Sequence, residues 1–377
     1  MASHKAVTLK DVAELAKVSQ SVVSTVLNGR QNGIFVSEST RRNVLAAAEE
    51  VGYIAKHRPT PPVRKPSQDA NVDRGSSHLV GLLLGRRFGG SLFTDIFYGV
   101  NSVLSAEGYH PIVLDTYADT YQKAAEKEAE GLRYARSSGF AGIVLWHEGG
   151  SANVNLIQET RSEVPIVAID RRVQGVELDY VGTDNYSGGY EATRHLIEQG
   201  HTRIAHLTRL ETTDAAVGRL RGYQQALTDA GIEINPRHIL LALDGGRRLD
   251  SESFRHVFTG RNAPTAITLL ADFWAPVVYS ELRSLGLRVP QDVSLVGFDD
   301  VVQPGLDGLE LTTMAQNFEA IGTTAGQLIL RRLRQPGAPV ATSVYPASLV
   351  VRRSTQAPKR SGQSARLGAQ TPTLAAR

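Results

Sequence analysis

Carboxylates, aromatic rings and one arginine stand where apolar stretches of this sequence end or helices begin. Asp170 closes VPIVAID and Asp299 closes VSLVGFD, while Asp272 follows TAITLL with Phe273 and Trp274 beside it. Carboxylate oxygens accept hydrogen bonds from hydroxyl groups, and a flat aromatic ring packs well against a small molecule. The pattern predicts a binding site for a hydroxylated ligand at the ends of neighbouring strands.

Three further residues extend this predicted site. Arg219 begins a helical stretch after the loop LETTDAAV, where a guanidinium can hold hydroxyl, carboxylate or phosphate groups. Trp146 follows the apolar run AGIVL, and Phe93 lies within GGSLFTDIFYGV. Three alternative interpretations stay open. The strand-end Asp residues would only cap the following helices, and Phe93 would belong to the core. His147, which follows Trp146, would be a surface loop residue.

The sequence contains no recognisable catalytic motif. It lacks a P-loop, an HExxH zinc motif and a GxSxG nucleophile elbow, and the glycines of GLLLGRRFGG do not form a dinucleotide fingerprint. The 10 histidines lack metal-ligand spacing, and the absence of cysteine excludes disulfides and thiolate metal sites. We therefore expect no enzyme activity, no metal and no cofactor.

Length and composition are those of a globular protein with two or three domains. The chain has 377 residues, of which 41% are hydrophobic and 21% charged. No apolar run approaches the ~20 residues of a membrane-spanning helix, and the opening MASHKAVTLKDV lacks the apolar core of a secretory signal. The expectation is a cytoplasmic protein with no membrane partner.

Charge is distributed unevenly along the chain, although the net charge is only +3. Residues 1–66 carry more basic than acidic side chains, residues 352–377 carry basic side chains and no acidic ones, and the middle is acidic. A small basic module joined to an acidic body indicates a polyanionic partner for that module.

The basic N-terminal module has the pattern of three short helices. Thr8 and Asp11 form a capping box before an apolar face at helical spacing. Ser19 caps a second helix that ends at Asn28-Gly29, two residues that tolerate the left-handed conformation. A third helix is expected over residues 37–52. Three such helices with a tight first turn predict a helix-turn-helix domain, and a small helical bundle with a polar outer face is the alternative.

The second helix of such a domain enters the major groove of DNA by its N-terminal end. Val23, Val26 and Leu27 share its inward face, which leaves the polar side chains outward. Gln20 can pair with adenine through two hydrogen bonds, and Val22 can meet a thymine methyl group. This arrangement predicts sequence-specific contacts with double-stranded DNA.

The segment VTLKDVAELAKVSQSVVSTVLNGR…VSESTRRNVLAAAEEVGY resembles the DNA-binding head of the lactose-repressor (LacI/GalR) family of bacterial transcription regulators. Many members carry Arg where this sequence has Thr25, so their operator preference does not carry over. Helix position and resemblance together predict DNA contacts at Thr8, Ser19, Gln20, Ser21, Val22, Ser24, Thr25, Asn28, Tyr53 and Arg58.

From residue 78 onward, apolar strands alternate with amphipathic helices. This alternation predicts parallel sheets with helices on both faces. Because about ten strands are many for one sheet, we expect two Rossmann-like lobes with a cleft lined by the carboxyl ends of strands. The candidate strands are residues 79–84, 111–115, 141–146, 164–170, 203–208, 238–243, 265–270 and 293–299.

This large domain also resembles the family. The similar stretches are IDRRV, VGTDNYSGGYEATRHLIEQGHTRIAHLT, GRLRGY and LRVPQDVSLVGFDD. The resemblance implies a sensor domain with the fold of periplasmic sugar-binding proteins. It also aligns Asp170, Arg219, Asp272 and Asp299 with positions that bind effector in the family.

These observations divide the chain into four parts. The prediction is a helix-turn-helix domain at 1–55, a Pro-rich basic linker at 56–77, a two-lobed ligand-sensing and dimerisation domain at 78–352, and a disordered basic tail at 353–377. Lobe 1 is expected at about 78–170 and 316–342, and lobe 2 at about 171–315 and 343–352. The linker prolines disfavour a regular hinge helix, which predicts an extended basic tether; they are Pro59, Pro61, Pro62 and Pro66.

By resemblance, the protein is expected to be a homodimeric transcription regulator, acting as a repressor in the family's commoner mode. It would bind a pseudo-palindromic operator, because the symmetry of a dimer and of its site go together. A small-molecule effector, a sugar or sugar derivative, would bind between the lobes and favour one arrangement of them. The alternative is a regulator of the same fold that is controlled by a protein partner.

Overall fold

A computed structural model describes residues 8–28, 36–37, 40, 43–44, 46–48, 77–85, 91–147, 151–209, 213–243 and 248–359. The chain divides into two compact units, Met1–Val72 and Asp73–Arg377. The predicted linker lies almost wholly outside the described residues.

The first unit begins with a capped helix. Helix α1 (Leu9–Ala16) starts after Thr8, whose amide and hydroxyl groups both donate to the Asp11 carboxylate at 2.7 Å. The helix ends at Lys17, which adopts the left-handed conformation with φ 52°. The start is the one that the sequence predicts, because an acidic residue three positions after the cap accepts a hydrogen bond from the amide of the cap residue.

Helix α2 (Gln20–Asn28) follows directly and packs on α1. The Ser19 hydroxyl accepts a hydrogen bond from the Val22 amide at 3.3 Å and so caps its start. Residues 40, 43–44 and 46–48 are helical, in the stretch of the third predicted helix. The core of the unit consists of Val12, Ala13, Val23, Val26, Val44, Ala47 and Ala48.

The second unit alternates strands with helices. Its strands are β1 (Leu79–Leu84), β2 (His110–Asp115), β3 (Gly142–Leu145), β4 (Ile166–Ile169), β5 (Asp179–Thr183), β6 (Ile204–Arg209), β7 (Ile239–Leu243), β8 (Arg248–Leu249), β9 (Ala266–Leu269), β10 (Ser294–Asp299), β11 (Thr312–Ala315), β12 (Thr342–Tyr345) and β13 (Ser348–Val350). Its helices are α3 (Ser91–Leu104), α4 (Tyr121–Ser137), α5 (Val154–Thr160), α6 (Asn185–Glu198), α7 (Asp214–Asp229), α8 (Ser251–Thr259), α9 (Ala275–Ser284) and α10 (Phe318–Arg334).

Two sheets organise these elements. The first has the order β12-β5-β4-β3-β1-β2, and all its pairs are parallel. The second has the order β13-β11-β10-β9-β6-β7-β8, with parallel pairs inside and antiparallel pairs at both edges. The inner strands are buried on both faces, which explains their continuous apolar runs. We call the first sheet with α3, α4, α5 and α10 the first lobe, and the second sheet with α6 to α9 the second lobe.

The predicted lobe boundaries were wrong at two places. Strand β5 lies in the first sheet, so the chain leaves the first lobe after Thr183 and not after residue 170. The Asp179 carboxylate holds β5 there, because it accepts hydrogen bonds from the Arg332 guanidinium at 2.9 Å and from the Ala341 amide at 2.7 Å. The segment 343–352, predicted to belong wholly to lobe 2, contributes to both sheets, with β12 in the first, β13 in the second and Pro346 between them.

The C-terminal prediction of disorder was wrong for residues 353–359. Ser354 is fully buried, and its hydroxyl donates to the Leu295 carbonyl at 2.6 Å while accepting from the Thr312 amide at 2.7 Å. The segment is polar in sequence, but its polar groups pair with second-lobe strands, which the composition does not reveal. Residues 360–377 lie outside the described residues.

A close helix crossing stabilises each lobe. In the first lobe α3 packs on α10, where a Cβ on Gly99 would lie 2.3 Å from the Glu319 carbonyl oxygen. In the second lobe α6 packs on α7, where a Cβ on Gly189 would lie 2.3 Å from the Arg219 carbonyl oxygen. Among the described residues, no helix has the length and apolarity to span a membrane.

Candidate functional site

The two lobes meet at the carboxyl ends of their strands. Thr183, at the end of β5, donates its hydroxyl hydrogen to the Gln316 side-chain oxygen. The Gln316 amide group in turn donates to the Asp299 carboxylate, at the end of β10, at 2.6 Å. Within the described chain the backbone passes between the lobes three times, after β5, β11 and β12. The cleft that these contacts span is the one that the strand-end carboxylates predict.

Arg219 and Asp299, two predicted effector residues, lie close together in the second lobe. Arg219 is on α7, and its Nη1 lies 4.0 Å from the Asp299 Oδ1. Its Nε donates to the Asn185 side chain at 2.8 Å, and its Nη1 donates to the Leu270 carbonyl. The guanidinium carbon stands 3.6 Å above the centre of the Phe298 ring. These contacts fix the position of the Arg219 guanidinium. The side chains of Arg219 and Asp299 are each less than a tenth exposed.

The backbone at the end of β10 is strained. Asp299 has φ 122° and Asp300 has φ 58°, values that residues with a side chain rarely adopt. Such conformations cost about 1–3 kcal/mol each and cluster at binding sites. The Asp300 carboxylate is held by Arg352, with 2.7 Å between Oδ1 and Nη2. The strain turns the chain sharply where β10 reaches the cleft.

Asp272 lies beside this turn but uses its oxygens within the protein. Its Oδ1 accepts from the Thr313 hydroxyl at 2.7 Å, and its Oδ2 accepts from the Val301 amide at 2.8 Å. Burial, and then the charge of Asp299, raises the pKa of Asp272 to about 7. These contacts give Asp272 a role in positioning the loop after β10.

Asp170 presents a carboxylate oxygen that has no partner. It follows β4 with φ 60°, and its backbone carbonyl accepts from the Tyr180 hydroxyl at 3.2 Å. The Oδ2 lies 3.8 Å from the Arg171 Nε, whereas the buried Oδ1 has no hydrogen-bond partner among the described residues. A buried acceptor without a donor is costly, so this oxygen is suited to a ligand hydroxyl.

The predicted aromatic residues divide into buried and exposed ones. Trp146 is only 3% exposed and stacks on Phe318 in the first-lobe core, and Trp274 is only 1% exposed in the second-lobe core. Phe93 is partly buried against the first-lobe core. Phe273 is 41% exposed, with its ring centre 5.0 Å from that of Trp274. The structure therefore packs both tryptophan rings against protein in this conformation.

His147 was wrongly predicted as a surface residue. It is 2% exposed, and its Nδ1 lies 3.1 Å from both carboxylate oxygens of Glu128. Asn153 donates to the same carboxylate at 2.8 Å, and Arg171 donates to the His147 carbonyl at 3.3 Å. The signal in the sequence was Glu128 itself, because it occupies the face of α4 that buries Leu132.

A second missed feature joins the two lobes. The Arg172 amide donates to Asp214 Oδ1 at 3.2 Å, and the Arg172 Nε lies 3.9 Å from Oδ2. Asp214 is the first residue of α7, and burial raises its pKa. The Arg172 guanidinium also stacks on the first-lobe Tyr180 ring at 3.9 Å. One arginine thus bridges a first-lobe ring and a second-lobe helix.

In the first unit, the predicted DNA-contacting side chains vary in exposure. Gln20 and Ser21 are exposed at the start of α2, as are Thr8 and Ser19, which act in the helix caps. Val22 packs partly against the core. Ser24 and Thr25 are partly exposed, and the Thr25 hydroxyl donates to the Ser21 carbonyl at 2.9 Å. The side chain of Asn28, together with Tyr53 and Arg58, lies outside the described residues.

The described residues contain no group of three or more His, Asp or Glu side chains that could hold a metal ion. The cleft offers hydrogen-bonding groups and charges for an organic ligand. A helix-turn-helix unit joined to a two-lobed, cleft-bearing domain defines the class of ligand-responsive DNA-binding regulators.

Comparison with known proteins identifies the family within this class. Residues 8–56 match the family of bacterial regulatory proteins called the lacI family, and residues 193–355 match the periplasmic binding protein-like domain. The chain is 30% identical over 329 residues to the HTH-type transcriptional repressor PurR of Aliivibrio fischeri (strain MJ11), covering 87% of this chain and 92% of the relative. The chain belongs to the LacI family of bacterial regulatory proteins.

Other relatives agree with this assignment. The HTH-type transcriptional repressor CytR of Escherichia coli (strain K12) is 30% identical over 352 residues, with 93% of this chain and 97% of that protein covered. The solved complex of the transcriptional regulator CelR with cellobiose has a TM-score of 0.63 and 26% identity, covering 92% and 99% of the two chains. The lac repressor dimer bound to operator and ONPF, at 24% identity, a TM-score of 0.60 and coverage of 94% and 100%, supports the fold. The predicted family and fold class are confirmed.

Proposed function

We propose that this regulator is a repressor that binds a pseudo-palindromic operator as a homodimer and responds to a sugar or sugar derivative in the cleft. The observation that carries the proposal is that Asp170 follows β4 of the first sheet, while Arg219 and Asp299 lie close together where β10 of the second sheet ends. The protein would act in the cytoplasm, without catalytic turnover. Similarity to the repressor PurR and to the regulator CelR, which was solved in complex with cellobiose, supports the proposal.

The chemistry of the cleft supports a hydroxylated ligand. The buried Asp170 Oδ1 needs a hydrogen-bond donor, and Asp299 adds a second carboxylate to which ligand hydroxyl groups can donate hydrogen bonds. Phe273 adds an exposed apolar ring beside Asp272. A pocket that combines a few fixed polar groups with apolar surface is typical of small-molecule sites.

Control of DNA binding would follow from the lobe arrangement. A ligand shifts an equilibrium only by its difference in affinity for the two states, so it must contact both lobes. Asp170 belongs to the first lobe, whereas Arg219 and Asp299 belong to the second. A ligand that bridges them would favour the closed arrangement. No described contact favours control by a protein partner.

The experiment starts from a genome-wide map of the DNA sites that the protein occupies, because the operator sequence and the flanking genes narrow the choice of effector. Footprinting on that operator is then repeated with D-ribose, D-xylulose, cellobiose and the sugars that the flanking genes suggest. We expect one sugar to change operator affinity. A protein that binds no sugar but whose operator affinity changes with a co-purifying protein would contradict the proposal.

A double variant, Arg219→Ala with Asp299→Ala, tests the site within this proposal. It should keep operator affinity, because the first unit is a separate compact unit, and lose the response to the sugar. A normal response in the double variant would rule out the cleft assignment. The variant Arg283→Ala with Asp307→Ala removes an exposed ion pair of the second lobe and is the matched control.

A further inference from the structure

Each of three arginines at the cleft lies beside its own carboxylate. One pair lies within the segment after β4, the second joins that segment to the first residue of α7, and the third joins α7 to the end of β10. The separations are 3.8 Å for Arg171 Nε to Asp170 Oδ2, 3.9 Å for Arg172 Nε to Asp214 Oδ2, and 4.0 Å for Arg219 Nη1 to Asp299 Oδ1. These arginines are therefore already neutralised by the protein.

Carboxyl groups match arginines in number in this part of the described cleft when Arg209, at the end of β6, is counted. Asp272 is a fourth carboxyl group, and burial, followed by the charge of Asp299, raises its pKa to about 7. The oxygen without a partner also belongs to a carboxylate, Asp170, and it accepts hydrogen bonds but cannot attract an anion. The local charge is therefore close to neutral.

The donors of the innermost arginine are also in use. Arg219 donates to the Asn185 side chain and the Leu270 carbonyl, and its face covers the Phe298 ring. A phosphate or carboxylate placed there would have to displace these contacts and would lie near Asp299. Burying an anion is costly unless a cation is available to pair with it.

We infer that the effector is an uncharged, polyhydroxylated molecule, a sugar that carries neither phosphate nor carboxylate, with a hydroxyl group that donates to Asp170. The inference rests on the proposed function, in which the cleft binds a sugar, and it narrows the ligand to neutral sugars. It follows from the pairing of charges in this chain.

The test compares neutral sugars with their anionic counterparts on the full chain. Isothermal titration calorimetry uses the pairs D-ribose and D-ribose 5-phosphate, D-glucose and D-glucose 6-phosphate, and cellobiose and cellobionate. In any pair that binds, the neutral member should bind at least about tenfold more tightly. Tighter binding of a phosphate or carboxylate member would overturn the inference and leave a sugar-controlled regulator intact.

A second arm needs no knowledge of the effector and uses inorganic phosphate as the probe. Asp299→Asn keeps an oxygen for the Gln316 amide but removes the charge that neutralises Arg219. The variant should gain phosphate binding that the wild type lacks. Asp307→Asn removes the same charge from the exposed pair with Arg283 and should not gain it.

The sugar titrations and the phosphate experiment together distinguish failure of the proposed function from failure of the charge inference. If no sugar binds, the proposed function fails, and the phosphate arm alone decides the charge inference. Equal phosphate binding by the wild type and Asp299→Asn overturns the inference. A preference for anions that disappears in Arg209→Ala also overturns the inference. The same holds for a preference that disappears when Arg86 and Arg87, which lie outside the described residues, are substituted. Phosphate binding gained only in Asp299→Asn supports it.

Discussion

Asp272 illustrates at the residue scale how burial sets the chemistry of this cleft. Its pKa rises from the ordinary 3.8 to about 7, first because of burial and then because of Asp299. A carboxyl group with a higher pKa in the fold than in the unfolded chain binds its proton more tightly when folded. The free energy of unfolding should therefore fall as the pH rises from about 4 through about 7.

Asp272→Asn should remove this part of the pH dependence. The asparagine can accept from the Val301 amide and donate to the Thr313 hydroxyl, so the contacts survive without a titrating group. Urea unfolding, followed by the fluorescence of the chain's two tryptophans, is compared at about pH 5 and about pH 8 for both proteins. An equal loss of stability in variant and wild type would show that Asp272 does not titrate in this range.

The buried pair of His147 and Glu128 makes a second prediction at this scale. His147→Ala leaves the Glu128 carboxyl group buried with Asn153 as its remaining donor among the contacts described above, which should cost about 1–3 kcal/mol of unfolding free energy. Removing Glu163 from its exposed pair with Arg136 should cost far less. Urea unfolding of the two variants measures the difference, and equal losses would argue against a buried pair.

Sequence reasoning at this scale located the residues that end strands and missed those whose partners are distant in sequence. The positions of Asp170 and Asp299 at strand ends could be predicted, because a polar residue after an apolar run lies at the carboxyl edge of a parallel sheet. His147 and Asp214 were missed, because their partners Glu128 and Arg172 are distant in sequence and only the place of Glu128 on the buried face of α4 indicated the first pair. The burial of a polar side chain depends on such a partner.

At the scale of elements, the glycine crossings connect packing to the site. Gly189→Ala would press its Cβ against the backbone of Arg219, the arginine of the predicted effector site. Gly99→Ala would press against Glu319 in the first lobe, away from that arginine. Overpacking of this kind costs about 1–3 kcal/mol. Both variants should lose stability, but only Gly189→Ala should also weaken sugar binding well beyond its loss of stability.

Calorimetry with the sugar found by footprinting measures the binding, and thermal unfolding measures the stability. Gly337→Ala, where a Cβ would meet nothing within 4 Å, is the control for the substitution itself. Equal sugar affinity in Gly189→Ala and Gly99→Ala would show that the crossing of α6 and α7 does not position Arg219.

Elements with strong apolar patterns were predicted and polar ones were not. The eight predicted strands are all present, because their apolar runs are buried on the inside of two sheets. Strand β11 has the sequence TTMA and β5 has DYVGT, and neither shows the apolar run that marks a buried strand. Their places depend on partners from distant parts of the chain, such as Arg332 for β5. The lobe boundary was misplaced for this reason.

At the scale of the whole molecule, the second unit consists of two lobes joined by three crossovers in the described chain. Such a connection permits hinge motion while preventing independent movement of the lobes. Contacts that bridge the two lobes then determine how the population divides between the bridged arrangement of the lobes and other arrangements. The pair of Arg172 and Asp214 is such a contact, and both side chains are partly exposed at 45% and 34%. A partly exposed pair contributes about 1 kcal/mol or less, which is enough to shift two populations several-fold.

We therefore expect Asp214→Asn and Arg172→Gln each to reduce the population of the arrangement in which the lobes are bridged. Because the chain has no cysteine, Gln122→Cys on α4 and Gln225→Cys on α7 give one spin label on each lobe. Distances between the labels, measured by pulsed electron paramagnetic resonance without any ligand, report the two populations.

A double variant tests whether the ion pair between Arg172 and Asp214 causes the change in the lobe populations. If Arg172 and Asp214 act together, Asp214→Asn with Arg172→Gln should change the populations no more than either change alone. Asp307→Asn, which breaks an ion pair within the second lobe, should leave the distances as in the wild type. Effects that simply add in the double variant would mean that each residue acts through other contacts, since a shared ion pair can be lost only once.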